Sequence, residues 1–303
     1  MTDSPITNPP DILCIGSVLW DIIGRSASHM TVGADRPGRI TRLPGGVALN
    51  IAMQLARQGM RPALMTAVGR DAEGTELIGQ CQRMGLATEF AYLSDDLPTD
   101  RYMAVEGANG LIAAVADAHS LEAAGDKILR PLSDGRLGSA DAPYPGPIAL
   151  DGNLTEDLLA RIAESPLFAA ADLRIAPASP GKVERLQPLL KHPRATLYVN
   201  LEEAGLLCHT DFDGSEGAAA ALIARGAQRV VVTAGGDPAT FAQSDGASAT
   251  ACPRQVMVTR VTGAGDTFMA AHIVAERSGA NAQDALARAL RIAADYVSGE
   301  TPL

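Results

Sequence analysis

Hydrophobic positions along this chain fall into two periods that take turns. Short apolar runs, in DILCIGSV, RPALMTAVG, PIALDGNL, DLRIAPAS, ATLYVN and QRVVVTAGG, fit buried strands. After most of them the apolar residues recur every three to four positions, as amphipathic helices require. GGVALNIAMQLARQG sets Val47, Ile51, Leu55 and Ala56 on one helical face and ends on Gly59, a C-terminal stop. AEGTELIGQCQRMG, TEDLLARIAE, GKVERLQPLL, LEEAGLL and, at the end, NAQDALARALRIAADYV read the same way. Strand followed by helix, repeated along the chain, predicts an α/β fold built on a mostly parallel sheet.

One region breaks this rhythm. Residues 88–118, TEFAYLSDDLPTDRYMAVEGANGLIAAVADA, hold β-like runs between Asp-, Pro- and Gly-containing turns, with no helical period. Together with strands from about 18–45 (VLWDIIGRSA and ITRLPGG) they predict a small inserted sheet, projecting from the body as a lid. Residues 131–147, PLSDGRLGSADAPYPGP, read as a loop, and the polar, proline-rich residues 1–10 as a disordered tail. A single domain over 11–303 remains.

Composition narrows the partners. Apolar residues make up 47% and charged residues 20%, an ordinary globular balance. The 25 basic and 35 acidic residues leave −10, which disfavours nucleic acid while allowing a local site for a small phosphate ligand. No run approaches the roughly 18 apolar residues of a membrane span, and MTDSPITNPP does not resemble a signal peptide. Cys14, Cys81, Cys208 and Cys252 stand far apart, without the clustered spacing zinc needs, so reduced thiols in a cytoplasmic protein are expected.

Four short stretches could carry chemistry. In VTRVTGAGDTF, Val258 to Phe268, a β-branched run breaks into Gly-Ala-Gly ahead of a helix. The first amides of a helix lack partners and carry positive potential, and glycines admit an anion closely. Gly263, Ala264 and Gly265 could therefore cradle a phosphoryl group while Asp266 takes a proton from an attacking hydroxyl. The same residues also describe a glycine turn with a capping aspartate. PGGVALNIA places Gly45 and Gly46 before a helix carrying Asn50, which could bind a polyol or face solvent. Asp21 lies beyond the first strand, where α/β ligands gather, and could hold a diol or sit in a surface loop. Asn200 and Glu203, three apart at a strand-to-helix junction, suit either Mg²⁺ through its waters or helix capping. Neither G-x-x-x-x-G-K-[ST] nor G-x-G-x-x-G is matched by the glycine turn.

In this order, the motifs resemble those of the PfkB (ribokinase-like) family of ATP-dependent sugar and nucleoside kinases, from Asp11 to about Ser298. The residues that carry the likeness are Gly45, Gly46 and Asn50, then VGRDAEG at 68–74, then Asn200 with Glu203. Thr233 with Gly235 and TGAGD, Thr262 to Asp266, complete it. The resemblance implies a three-layer α/β/α fold with a small β-sheet lid, and transfer of the ATP γ-phosphoryl group to a hydroxymethyl. It implies Asp266 as base, the Gly263, Ala264 and Gly265 amides as anion hole, and Asp21, Gly45, Gly46 and Asn50 on the sugar. Asn200, Thr233, Gly235, Thr262 and Arg260 would lie on the nucleotide side, with Asn200 and Glu203 at Mg²⁺ through water.

The middle of the chain is most similar to the pseudouridine kinases of that family, in RYMAVEGANGLIAAVADAHSLE, IALDGNLTEDLL and APASPGKVERLQPLL. The last stretch carries Ser179 and Lys182, and the likeness makes Lys182 a substrate ligand. The implied reaction is phosphorylation of a nucleoside C5′ hydroxymethyl, pseudouridine first. The alternatives are another nucleoside such as adenosine or inosine, a ribokinase-like sugar, and a catalytically weak ligand sensor. A homodimer paired through the lid is also implied. Leu19 departs from the asparagine usual two residues before Asp21, Pro238 interrupts the glycine after T-x-G, and the chain closes at SGETPL, short of a segment that often completes the cation and adenine surroundings. Arg260 replaces a residue that helps potassium-activated relatives hold the ion. Its guanidinium would supply that charge beside the anion hole, making K⁺ dispensable, or else points to solvent.

Overall fold

The computed structural model describes residues 9–300, so the expected N-terminal tail lies outside the described residues up to residue 8. Strand β1 (Ile12–Ile15) is followed by β2 (Leu19–Arg25), β3 (Arg39–Gly45) and helix α1 (Val47–Arg57). Next come β4 (Pro62–Met65), β5 (Ala67–Gly69), α2 (Ala72–Arg83) and β6 (Tyr92–Ser94). The hairpin β7 (Arg101–Gly107) and β8 (Gly110–Asp117) leads into α3 (His119–Ala124). Then follow β9 (Pro147–Asp151), α4 (Glu156–Glu164), β10 (Asp172–Ala176), β11 (Ala195–Asn200), α5 (Leu201–Cys208) and α6 (Ser215–Ala224). The chain closes with β12 (Arg229–Ala234), β13 (Asp237–Gln243), β14 (Ser248–Ala251), α7 (Ala264–Arg277) and α8 (Ala282–Ser298).

The central sheet runs in the order β14-β13-β12-β11-β10-β9-β1-β4. Six of its strands are parallel, and β13 and β14 extend it as an antiparallel edge. Alternate residues of a strand point to opposite faces, so a strand buried on both must be apolar throughout. Ile12, Cys14, Leu64, Ala149 and Val231 enter one core with α1, α2, α7 and α8. Leu13, Ile15, Met65, Ile148 and Val230 enter another with α3, α4, α5 and α6. Two helical layers therefore enclose the sheet.

The small sheet is separate, in the order β3-β2-β7-β8. It is rooted on α2: the buried Trp20 ring donates from Nε1 to the Glu73 carbonyl at 3.0 Å, and the Arg42 guanidinium lies 4.1 Å above that ring. Arg101 pairs with Glu73 at 2.8 Å, and Asp71 caps α2 while accepting from the Thr99 amide at 2.8 Å. The VGRDAEG stretch thus joins the sheet to the body.

Several local expectations change. The second strand divides at Thr66, whose carbonyl accepts from Tyr92, and Ala67–Gly69 pairs with β6 instead. Residues 88–100 therefore stay with the body, and the small sheet takes only 101–117 from that region. Pro180–Leu189 forms 3-10 rather than α-helix, and in an α-helix the Pro188 ring would clash with the carbonyl four residues back. In α1 the buried set is Ala48, Leu49, Ile51, Ala52, Gln54 and Leu55, while Val47 and Ala56 are half-buried. The β-branched run at Val258 forms no strand, leaving Val258 and Val261 exposed. Helix α6 and strands β13 and β14 were not predicted, since a run of alanines carries no apolar-polar contrast to read. Among the described residues no helix is long and apolar enough to cross a membrane, and all four cysteines are unpaired.

Candidate active site

Strands β12, β11, β10, β9 and β1 finish along one edge of the sheet, the edge where α/β ligands bind. Ser17 follows β1, Asp151 ends β9, Asn200 ends β11, and Thr233 stands next to last in β12. Helices α1 and α7 pack against each other and begin over this edge.

The two helices begin differently. In α1 the first amides are already taken: Val47 donates to Ser17 Oγ at 2.9 Å, Ala48 to Asp151 Oδ2 at 3.3 Å, and Leu49 to the Ser17 carbonyl at 3.3 Å. Gly46, at φ 103°, lies so close to the Ser17 carbonyl that a Cβ would collide with it. Gly45 is needed because the Asp21 carboxylate fills the place of a Cβ.

Helix α7 starts open. Its N-cap is Gly263, at φ 83°, tucked beneath the Tyr296 hydroxyl. Ala264 donates to the Val261 carbonyl and Thr267 to that of Gly263, but no acceptor among the described residues meets the amides of Gly265 and Asp266. Those amides, at the positive end of the helix dipole, face a cavity of about 1400 Å³. Asn200, Glu203, Thr233, Gly235, Ala264, Gly265 and Asp266 all line it.

Asp266 lies deep among protein atoms while opening onto the cavity, and it accepts from Asn50 Nδ2 at 3.0 Å. Burial pushes its pKa up to about 7, opposed by the Asn50 donor and reinforced by the charges of Asp151 and Glu203. Contacts then lead away from the cavity along α1, from Asn50 back to Gly46, Gly45 and Asp21. Burial raises Asp21 to about 6, and among the described residues its carboxylate accepts no hydrogen bond. Asn200 and Glu203 form a reciprocal capping box, Glu203 Oε2 accepting from the Asn200 amide at 2.8 Å and Asn200 Oδ1 from the Glu203 amide at 2.8 Å. Capping uses one Glu203 oxygen, and Oε1 takes no donor from the described residues. Burial raises its pKa also.

Besides Asp21, Gly45, Gly46 and Asn50, four more predicted residues stand away from the cavity wall: Lys182, Arg260, Thr262 and Gly263. Lys182 donates from Nζ to Asn153 Oδ1 at 2.7 Å, and Asn153 in turn binds Ser17 and Asp151. Arg260 is half-buried, its guanidinium 3.9 Å above the Tyr296 ring and its Nε donating to the Tyr296 carbonyl at 2.6 Å. It therefore neither reaches freely into solvent nor lines the cavity. The Tyr296 hydroxyl donates to the Thr262 carbonyl at 2.9 Å, so Thr262 and Gly263 back the turn from behind. Pro238 leaves the β12–β13 hairpin intact, and its carbonyl accepts from Ser215 Oγ at 2.6 Å. Sequence reasoning passed over Ser17, Asp151 and Tyr296. The D-x-N strand end was a signal for Asp151, whereas nothing local marks Tyr296, which sits on the last helix.

Solved structures share this architecture. A carbohydrate kinase from Agrobacterium tumefaciens matches with a TM-score of 0.79 at 24% identity, over 96% of this chain and 91% of that one. Arabidopsis thaliana ribokinase, solved with ribose and ATP, matches at 0.76 and 19%, over 97% and 94%. The fold is ribokinase-like, the architecture of a class of kinases that phosphorylate alcohols. The pfkB family carbohydrate kinase model matches residues 9–300, and the chain belongs to that family. It is accordingly a phosphotransferase with an alcohol acceptor, and ATP is the donor that the family uses. Among curated proteins it is similar to the pseudouridine kinase of Escherichia coli (strain K12), 29% identical over 86% of this chain and 81% of that protein. It is also similar to the guanosine-inosine kinase of Exiguobacterium acetylicum, 28% identical over 95% and 94%.

Proposed function

We propose that the chain transfers the γ-phosphoryl group of ATP to the C5′ hydroxymethyl of a nucleoside, pseudouridine foremost, with Asp266 as general base. The observation that carries this reading is the position of Asp266, between the unpaired amides at the start of α7 and the Asn50 amide. A carboxylate with a pKa near 7 is well matched to accept a hydroxyl proton at neutral pH. The Gly265 and Asp266 amides meet the charge on the transferred group, fixed in place before the reaction starts. Asp21, with no donor from the described residues, accepts from the sugar hydroxyls, and Asn50 binds on the same side. Thr233 and Gly235, on the cavity wall, would serve the nucleotide. The small sheet closes over the acceptor as a lid and keeps water from competing.

The residues present fit Mg²⁺. Glu203 is a buried carboxylate on the cavity wall with Oε1 unused, and Asn200 stands beside it, an all-oxygen set suited to binding through water. When bound, the ion neutralises charge on the phosphates. We infer also that two chains pair through their lids, since Ile40, Met103 and Val115 expose apolar surface there. Unpaired thiols and the use of ATP suit the cytoplasm.

ADP release measured over pseudouridine, uridine, adenosine, inosine and ribose tests the substrate. Pseudouridine is expected to give the highest kcat/KM. Faster turnover of ribose than of any nucleoside would sink the nucleoside reading, and binding without ADP release would favour a sensor. The nucleoside reading draws support from the two curated relatives, both nucleoside kinases by name.

A further inference from the structure

Ser17 and Asp151 have no part in the transfer just described, yet they are 2% and 0% exposed beside it. A buried carboxylate without a cation is costly unless donors replace its water. Asp151 is richly supplied. Its Oδ2 accepts from the Ser17 amide at 2.7 Å, the Ser17 hydroxyl at 2.5 Å and the Ala48 amide at 3.3 Å. Its Oδ1 accepts from the Asn153 amide at 2.8 Å and from Asn153 Nδ2 at 3.0 Å. The Ser17 hydroxyl passes the network on by accepting from the Val47 amide.

The network ends on the first turn of α1. A helix can be capped as well by its own N-cap side chain, but that would tie it to nothing else. Here the N-cap is Gly46, without a side chain, and the caps come from the ends of two sheet strands, 30 and 103 residues away in sequence. The helix start is therefore fixed to β1 and β9. A fully satisfied buried network of this kind is stiff. Asn50 stands at the end of that same turn, its backbone amide bonded to the Gly46 carbonyl at 2.8 Å and its side chain to Asp266.

We propose that Ser17 and Asp151 are positioning residues for phosphoryl transfer, locking the first turn of α1 to the sheet so that Asn50 holds the Asp266 carboxylate in its working orientation. The role rests on Asp266 being the base. Ser17→Ala tests it without changing any charge. The variant should lose about tenfold in kcat, the scale of a slightly misplaced reacting group, while KM for ATP stays nearly unchanged. In an Asn50→Ala background the same substitution should cost almost nothing more, because its effect runs through Asn50. Independent, multiplying losses would overturn the proposal.

A second readout needs no turnover. The Asp266 carboxyl can be followed by ¹³C NMR in aspartate-labelled protein, assigned by its loss in Asp266→Asn. Asn50 donates to the charged form, so Asn50→Ala should raise the Asp266 titration point. Ser17→Ala should shift it the same way, and should raise it no further in the Asn50→Ala background. The Glu203 charge and the phenol of Tyr296 stay in place throughout, and losing the Ser17 hydroxyl favours the neutral form of Asp151, which would lower the Asp266 titration point, opposite in sign to the shift expected through Asn50. An unmoved titration in Ser17→Ala refutes the proposal. Ser17→Cys, checked by thermal melting, replaces the alanine variant if that one fails to fold. Absence of ADP release by the wild type with every nucleoside would defeat the functional reading alone, and the titration cycle would still decide the positioning role.

Discussion

Asn50 Nδ2 donates to Asp266 Oδ2 at 3.0 Å across the seam of α1 and α7, joining residues 216 apart in sequence. The bond holds one carboxylate oxygen and leaves the other for a substrate proton. Asp266→Asn keeps the shape of the side chain and removes its basicity. Turnover should fall by at least ~10²-fold, the scale of a lost general base, while calorimetry still detects acceptor and ATP binding. Turnover close to that of the wild type would remove Asp266 from the chemistry.

The raised pKa of Asp266 makes two pH profiles predictable. As a base it must be ionised, so kcat/KM should fall below about pH 7 with a slope of one proton. Asn50→Ala removes a donor that favours the charged form, and the acid limb should move to higher pH. Stability runs the other way. The folded pKa lies above the usual 3.8, so the fold favours the protonated acid. Its contribution is complete below about pH 4 and is lost as pH rises through about 7. Asp266→Asn, permanently neutral, should therefore raise Tm at pH 8 and lose that advantage at about pH 4. Equal Tm shifts at both pH values would contradict the sign.

Asp21 is a second carboxylate held above its usual range, to about 6 by burial, with no donor from the described residues. An arrangement that costs stability is explained if substrate hydroxyls supply the missing bonds. Asp21→Ala should raise KM for the acceptor by roughly 10–10²-fold, the worth of hydrogen bonds to a charged group, and leave KM for ATP unchanged. An equal rise for both substrates would mean that Asp21 supports the structure rather than the acceptor.

How much of this could be read from the sequence depends on the range of each interaction. The strands were legible because a sheet covered on both faces leaves continuous apolar runs, as in ILCI and PIALD. The helices with a polar face were legible by period, whereas α6, with its run of alanines, was not. The GAGD turn, Asn50 and the Asn200–Glu203 pair stood out as local motifs, and the structure gathers them along one sheet edge. Gly45 and Gly46 were read as facing a ligand, but their lack of a Cβ is demanded by Asp21 and by the Ser17 carbonyl. Ser17 and Asp151 matter through bonds that span 134 residues, and Tyr296 reaches back 34 to Thr262. No spacing rule reports such pairs, because only the closed fold makes them neighbours.

Arg260 joins this last group, and its surroundings yield a prediction about cations. The guanidinium stacks on Tyr296 and caps the carbonyl end of α8, where a positive charge is favoured by the helix dipole. Through the Tyr296 hydroxyl, that same ring holds the Thr262 carbonyl and overlies Gly263, the N-cap of α7. We propose that this fixed cation supplies the charge a monovalent ion gives in potassium-activated relatives. Rates in potassium, sodium and choline salts at equal ionic strength should then agree, equal strength being needed to remove general screening effects. Arg260→Ala should lower kcat more than it raises KM for the acceptor, since it loosens the turn and not the acceptor pocket. Strong stimulation of the wild type by potassium would show that Arg260 does not stand in for the ion, whatever it contributes to the Tyr296 contact.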